Sequence, residues 1–228
     1  MKLGIFSDLH SNIYALNAML RQAPVVSEWI CLGDFTGLFP GVNEVVGKLK
    51  DSGITAIRGD HEMALLGEER INNSVTAQDA ICRQQEEILP AHRAYIRDLG
   101  DTADLEIDGL RIHATHRLIR GDQGPSAKFQ IDLAELDQRF RAYDVLLFGH
   151  THFPLTCYCP KVILVNPGSA GFPIDCTRMA SFAVLDTVTR EVQLQRFSFE
   201  TDALLHDIKA FGYHQKLYDY VKNGFYWG

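Results

Sequence analysis

The stretch Leu3-Gly-Ile-Phe-Ser-Asp8-Leu-His10-Ser-Asn12 sets the pattern for the first third of the chain. A short apolar run, enough for one strand, breaks off at Asp8 and His10. Asn12–Gln22 then places Ala15, Leu16, Met19 and Leu20 at a helical period. The cycle recurs. Trp29–Leu32 ends at Gly33-Asp34, Val42–Leu49 is helical, and Ile54–Ile57 ends at Arg58-Gly59-Asp60. The order β-α-β-α-β implies parallel strands joined by right-handed crossovers.

Farther along, strands become denser. Asn72–Leu99 predicts helix interrupted at Pro90. Leu105–Ile107 and Leu110–Thr115 flank Asp108-Gly109, a hairpin-turn dipeptide. Phe129–Tyr143 has a helical pattern. Val145–Phe148, Val162–Val165, Phe182–Leu185 and Val192–Phe197 read as strands, with Arg178–Phe199 a meander ending in a hairpin. Asp202–Lys222 carries Leu204, Leu205, Ile208 and Phe211 at helical spacing. With no internal repeat, low-complexity segment or linker, one domain over 1–228 is the simplest organisation: two sheets with outer helices. Residues 201–228 form a C-terminal helical extension packed on it. Asp202–Trp227 is also rich in aromatics, so a dimer interface is the alternative use of that segment, and a homodimer the oligomer it would build.

Composition narrows the classes. The 228 residues are 46% hydrophobic, too apolar for a disordered chain and enough for a substantial core. Lys and Arg total 22 against 29 Asp and Glu, a formal charge of −7, which disfavours a general grip on nucleic acid. No apolar run reaches the ~18 residues that span a bilayer, and the N-terminus is polar within eight residues, unlike a signal peptide. The expectation is a cytoplasmic protein without membrane association. The five cysteines are scattered, which argues against a disulfide framework. Cys157-Tyr-Cys159 has no second cysteine pair to complete a metal site and reads as one face of a short strand.

The chemistry sits just after the strands. Asp8 and His10 follow the first, Asp34 the second, and Asp60, His61 and Glu62 the third. His116 follows Leu110–Thr115, and His150 and His152 follow Val145–Phe148. Ligands of open α/β sheets bind beyond strand C-termini, so five strand ends deliver Asp and His to one edge. Asp8/His10 and His150/His152 are i,i+2 pairs, and in extended backbone each pair would point to one side. Gathering three carboxylates and four imidazoles calls for a counter-charge, usually a divalent cation. Mixed N/O donors suit Mn, Fe, Zn, Co or Ni better than Ca, and the donors exceed one ion's needs.

Taken in order, these pieces are specific. Asp8-Leu-His10, Gly33-Asp34, Gly59-Asp60-His61-Glu62, His116 and Gly149-His150-Thr151-His152 resemble the calcineurin-like metallophosphoesterases, in particular their small bacterial and archaeal single-domain phosphodiesterase branch. Phe6–Asn12, Gly37–Pro40, Asn43-Glu44-Val45, Asn166-Pro-Gly-Ser169 and Ala180–Asp186 resemble further family segments. The resemblance spans Met1–Phe199, with Glu69–Asp104 least diagnostic. It implies a four-layer αββα sandwich, an α/β fold in which two mixed β-sheets pack face to face with helices outside. It also implies hydrolysis of a small phosphate ester, a diester before a monoester, by a hydroxide bridging two divalent transition metals, manganese first. Asp34 would bridge them. Asp8, His10 and His152 would complete one site, and His116, His150 and Asp60 the other. His61 would contact phosphate or protonate the leaving group. His116 rather than His113 is the expected ligand, because it lies at the strand end.

Two positions depart from the family pattern. Asp60 stands where the family usually has Asn, which removes one positive charge from the centre and should raise the pKa of the bridging water. Arg117 stands where the family usually has Gly. It could restore that charge and grip phosphate, or simply face solvent. Arg117–Phe129, with Gly121, Gly124 and Pro125, reads as a loop near the site. Arg58 and Arg120 are more distant candidates for an anion. Some members of this fold serve as non-catalytic interaction scaffolds, the alternative reading here. The complete donor set and His61 favour the enzyme. Neither a Gly-x-Ser-x-Gly elbow nor a Gly-rich nucleotide loop occurs.

Overall fold

Two five-stranded mixed sheets stack face to face in the computed structural model, which describes residues 1–71, 74–118, 136 and 138–224. The first sheet has the order β10-β9-β1-β2-β3. Its strands are β1 (Lys2–Phe6), β2 (Glu28–Cys31), β3 (Thr55–Ala56), β9 (Ala180–Asp186) and β10 (Val192–Phe197). β1, β2 and β3 are parallel, and the β9–β10 hairpin joins β1 antiparallel. The second sheet has the order β4-β5-β6-β8-β7. It comprises β4 (Thr102–Ile107), β5 (Leu110–Thr115), β6 (Val145–Phe148), β7 (Leu155–Tyr158) and β8 (Ile163–Asn166). β5, β6 and β8 are parallel, and the hairpin turn at Asp108-Gly109 uses φ of 51° and 78°, as its residues allow.

Alternation decides what each face buries. Leu3, Ile5, Ile30 and Leu32 meet Leu110, Ile112, Val145, Leu147 and Val165 between the sheets. The other face of the first sheet, through Phe6 and Cys31, packs under α1 (Ile13–Gln22) and α2 (Val42–Asp51). The outer face of the second sheet, Leu146, Phe148 and Leu164, is covered by Leu136 and Phe140. The rest of the helix expected over Phe129–Tyr143 lies outside the described residues, as does the loop after Leu118, with Arg120.

Helix ends follow local chemistry. Asn12 caps α1, its Oδ1 accepting from Ala15 N at 3.0 Å. Pro90 divides the expected helix at 72–99 into α4 (Val75–Glu87) and α5 (Pro90–Asp98). Leu89 before it is extended, and proline begins the next helix. α3 (Asp60–Leu66) was not anticipated by the sequence pattern.

The C-terminal segment is two helices rather than one: α6 (Asp202–Ala210) and α7 (Gln215–Lys222). Tyr213 N donates to Ile208 O at 2.9 Å, and Gly212 takes φ +68°, so α6 closes in a Schellman turn. Leu204, Ile208, Tyr213, Leu217, Tyr220 and Val221 bury themselves against Leu38, Phe39, Ala77 and Ala80. At ~25 cal/mol per Å2 of apolar surface, each such side chain contributes ~1.5–3 kcal/mol. The final aromatics, Phe225, Tyr226 and Trp227, lie outside the described residues.

Candidate metal centre

Every expected donor lies at the edge formed by the C-terminal ends of β1, β2, β3, β5 and β6, but not by the extended-strand geometry expected. The strands end first, at Phe6 and Phe148. Asp8, His10, Asp34, His150 and His152 then adopt left-handed backbone, with φ between 51° and 66°. Such conformations cost ~1–3 kcal/mol each at non-glycine residues and persist only where surroundings over-determine them. Here the loops zip together. Asp8 N donates to Gly33 O at 3.1 Å, His10 N to Asp34 O at 2.9 Å and Ser11 N to Phe35 O at 2.9 Å. The twist also separates one i,i+2 pair. His152 joins Asp8 and His10, whereas His150 joins Asp34, Asp60 and His116. Within each group the candidate donor atoms lie within 4.8 Å of one another.

Ring orientation shows what these groups offer. Nδ1 of His10, His116 and His152 faces a backbone carbonyl, Thr36 O at 3.3 Å, Leu32 O at 2.7 Å and Phe172 O at 2.8 Å respectively. A carbonyl only accepts, so each Nδ1 donates there and each Nε2 is left facing the group. The Nε2 atoms of His10 and His152 are 3.2 Å apart. Buried Asp8 Oδ1 and His116 Nε2 also make no hydrogen bond. His152 Nε2 is 3.3 Å from Asp8 Oδ1, and His116 Nε2 is 3.2 Å from Asp34 Oδ2 and 3.0 Å from Asp60 Oδ1. Imidazole nitrogens and carboxylate oxygens converging this closely fit a divalent ion in each group.

The electrostatics set the two groups apart. Burial would raise the Asp8, Asp34 and Asp60 carboxyls, yet neighbouring imidazoles hold all three below the usual carboxylate range. Burial drives the His10 imidazole well below its ordinary range, with His61 and His152 adding to it. Burial pushes His116 the same way, but Asp34 and Asp60 prevail and lift it well above.

His61 sits between the two groups. Its N–H donates to Asp34 Oδ1 at 2.9 Å, its ring lies edge-on to His10 at 4.5 Å, and its Nε2 is 4.0 Å from Asp34 Oδ2. A side chain at Gly37 would begin 1.9 Å from His61 Nδ1, and one at Gly59 would begin 2.2 Å from Asp34 Oδ1. Glycine at both positions lets the loops close on these side chains. His113 is elsewhere, its Nδ1 2.6 Å from Asp104 Oδ1.

Arg117 is half-buried and, with Arg58, Asp60 and His116, lines a cavity of about 290 Å3. Its Nε donates to Asp60 Oδ1 at 3.2 Å, and both terminal nitrogens donate to Glu69 Oε1 at 3.0 Å. The two unusual positions therefore touch. Arg58 is likewise engaged, by Asp101 and Glu68.

Sequence reasoning passed over two buried side chains that set this geometry. Glu62 follows the third strand in sequence with no role attached to it. Its Oε2 accepts from Asp34 N and Gly59 N, and its Oε1 from Thr36 N and Thr36 Oγ1, all at 2.8 Å. Burial and the Asp34 charge push its carboxyl up, while the donors of Gly59 and Thr36 oppose them. Its place three residues after Gly59 is the position from which a glutamate reaches back to the N-cap N–H, although Gly59 has no side chain to return the bond. Gln84, on α4, accepts from Gly37 N at 2.7 Å and donates to Phe39 O and Ser11 Oγ. Nothing local to residue 84 announces that role.

A family model for the calcineurin-like phosphoesterase superfamily domain matches residues 1–190. The chain belongs to the calcineurin-like phosphoesterase superfamily. Among its superfamily relatives is the phosphodiesterase MJ0936 of Methanocaldococcus jannaschii, 25% identical over 196 residues, covering 84% of this chain and 96% of that one. The protein MJ0912 of the same organism is 25% identical over 217 residues, covering 87% and 88%. The fold matches the crystal structure of a metallophosphoesterase from Sphaerobacter thermophilus with TM-score 0.77, at 24% identity over 98% of this chain and 100% of that one. It also matches PH1004 from Pyrococcus horikoshii OT3, with TM-score 0.81 at 19% identity over 96% and 97%. No described helix is long and apolar enough to cross a membrane.

Proposed function

We propose that this protein is a metal-dependent phosphodiesterase with a dinuclear centre. The observation that carries the reading is the convergence of imidazole nitrogens and buried carboxylates at two adjacent points of the strand edge. Asp8, His10 and His152 would hold one divalent ion, and Asp60, His116 and His150 the other, with Asp34 shared between them. Bound there, two such ions would lower the pKa of water and neutralise charge on the phosphoryl oxygens. The chain supplies the remaining tasks. The carbonyls of Thr36, Leu32 and Phe172 keep the donor tautomers fixed. His61 Nε2, the nitrogen on the Asp34 side, would give the leaving oxygen its proton. Arg117 is engaged with Asp60 and Glu69, which supports a role in tuning the charge at Asp60 rather than gripping phosphate. The 25% identity to an archaeal phosphodiesterase supports diester over monoester chemistry. We further read the protein as cytoplasmic and its substrate as a small molecule.

The test is hydrolysis of bis-p-nitrophenyl phosphate and p-nitrophenyl phosphate by chelator-stripped protein, with Mn, Ni, Co, Zn and Mg returned one at a time. Faster diester turnover restored by a transition metal, manganese foremost, is the expected result. Stoichiometric metal binding without turnover of either ester would overturn it in favour of a scaffold.

A further inference from the structure

The C-terminal helices lie beyond the 190 residues that the superfamily model matches, yet they reach the metal centre through one ring. Phe172 stands edge-on to His10, with centroids 5.9 Å apart at 81°, and to His152, 5.8 Å apart at 86°. Its carbonyl receives the Nδ1 proton of His152 at 2.8 Å, and its own N–H donates to Ser169 Oγ at 2.7 Å. On its other side, Phe172 lies 4.6 Å from the ring of Tyr220, on α7, and 5.8 Å from Phe39. The Tyr220 hydroxyl donates to Pro173 O, one residue on. Residues 172 and 173 are therefore gripped at both ring and backbone between α7 and two ligand imidazoles. Tyr220 is 1% exposed. By contrast, the side chains of His116 and His150 contact Leu32, Asp34, Asp60 and each other, His150 N donates to Asp8 Oδ2 at 3.1 Å, and no described contact links either histidine to α7.

We infer that Tyr220 is a positioning residue for one metal site only: through Phe172 it orients His10 and His152, and the Asp34/Asp60/His116/His150 site does not depend on it. Partners behind a ligating imidazole fix its ring and tautomer, and their loss typically weakens metal affinity 10–100-fold. Tyr220 stands one layer farther back, so the lower end of that range is the expectation. The inference rests on the dinuclear reading above.

Its test is cobalt titration of the full-length chain by visible absorption, with a competing chelator to place the affinities. His116→Ala leaves only the Asp8/His10/His152 site intact, and His152→Ala only the other. Tyr220→Leu in the His116→Ala background should weaken cobalt binding about tenfold, and in the His152→Ala background should leave it within twofold. Tyr220→Phe, which keeps the ring and loses the hydroxyl, should recover most of the affinity. Leu204→Ala, a truncation in α6 that leaves the Tyr220–Phe172 contact in place, should lower thermal stability while sparing cobalt affinity at both sites. Equal weakening at both sites, no weakening at either, or the same loss from Leu204→Ala would overturn the inference. A wild-type chain that binds no cobalt would overturn the dinuclear reading itself, and with it this inference. Binding of two ions unaffected by Tyr220→Leu would overturn the inference alone.

Discussion

Glu62→Gln isolates the carboxylate that ties the Asp34 loop to the start of α3. In the wild type, both oxygens face donors only, two at each, all at 2.8 Å. The substituted amide must turn its NH2 toward one of these pairs. If it faces Thr36, the hydroxyl can rotate to accept, but Thr36 N is left facing a donor. If it faces the other side, both Asp34 N and Gly59 N are stranded. The better choice leaves one buried N–H unsatisfied, which costs ~1–3 kcal/mol. The surviving bonds lose charge assistance, worth about another 1 kcal/mol together after the relief of desolvating a charge. The expected loss is about 3 kcal/mol, near a hundredfold in the folding equilibrium and ~6–12 °C in Tm for a chain this size. Urea denaturation followed by circular dichroism reads the first quantity, and a thermal scan the second. Because Asp34 N is one of the four donors, manganese affinity should fall with stability. A Glu62→Gln protein within 1 kcal/mol of wild type would refute the accounting, for it would mean that these donors find water or shift at little cost.

Three further outcomes follow from the same geometry. His61→Ala should cut phosphodiester turnover 10²–10⁴-fold while two manganese ions still bind, the range for a lost general acid; loss of an ion, read by elemental analysis of the dialysed protein, would instead make His61 a ligand. Asp60 and Arg117 should couple: a bond of 3.2 Å corresponds to about 5 kcal/mol at an effective dielectric of 20, and sharing with Glu69 and partial solvent access reduce this to ~1–3 kcal/mol. A stability cycle of Asp60→Asn, Arg117→Met and the double variant measures it, and strictly additive effects would show that the two positions act independently. In chelator-treated protein, the lowered carboxyls of Asp8, Asp34 and Asp60 contribute stability that is complete above the ordinary carboxylate pKa near 4 and lost as pH falls through their depressed values. Urea midpoints should therefore drop steeply between pH 4 and 2, and a flat profile there would contradict the imidazole pairing.

Much of this molecule is legible in one dimension because the governing rules are local. Apolar runs of strand length, helical periods between them and the turn at Asp108-Gly109 depend on neighbours a few residues away. So does the recurrence of Asp and His after successive strands, which announces the edge at which the site lies. Other features had no local voice. The left-handed backbone at Asp8, His10, Asp34, His150 and His152 is imposed by loops zipped to one another, and that twist, not strand alternation, sends His150 and His152 to different groups. Gln84 and Tyr220 look in sequence like helix positions of no distinction, since their partners lie 45 residues or more away. Arg117 could be named as unusual but not understood, because Asp60 and Glu69 meet it only in the folded chain. The sequence by itself determined the order of elements, the location of the metal-binding edge and the donor types gathered there, since periodicity and strand ends are short-range properties. Tertiary structure decided how those donors are brought within reach of one another, which nitrogen each imidazole turns toward its group and what holds them in place, because those depend on carbonyls, carboxylates and rings brought together only when both sheets and the C-terminal helices pack.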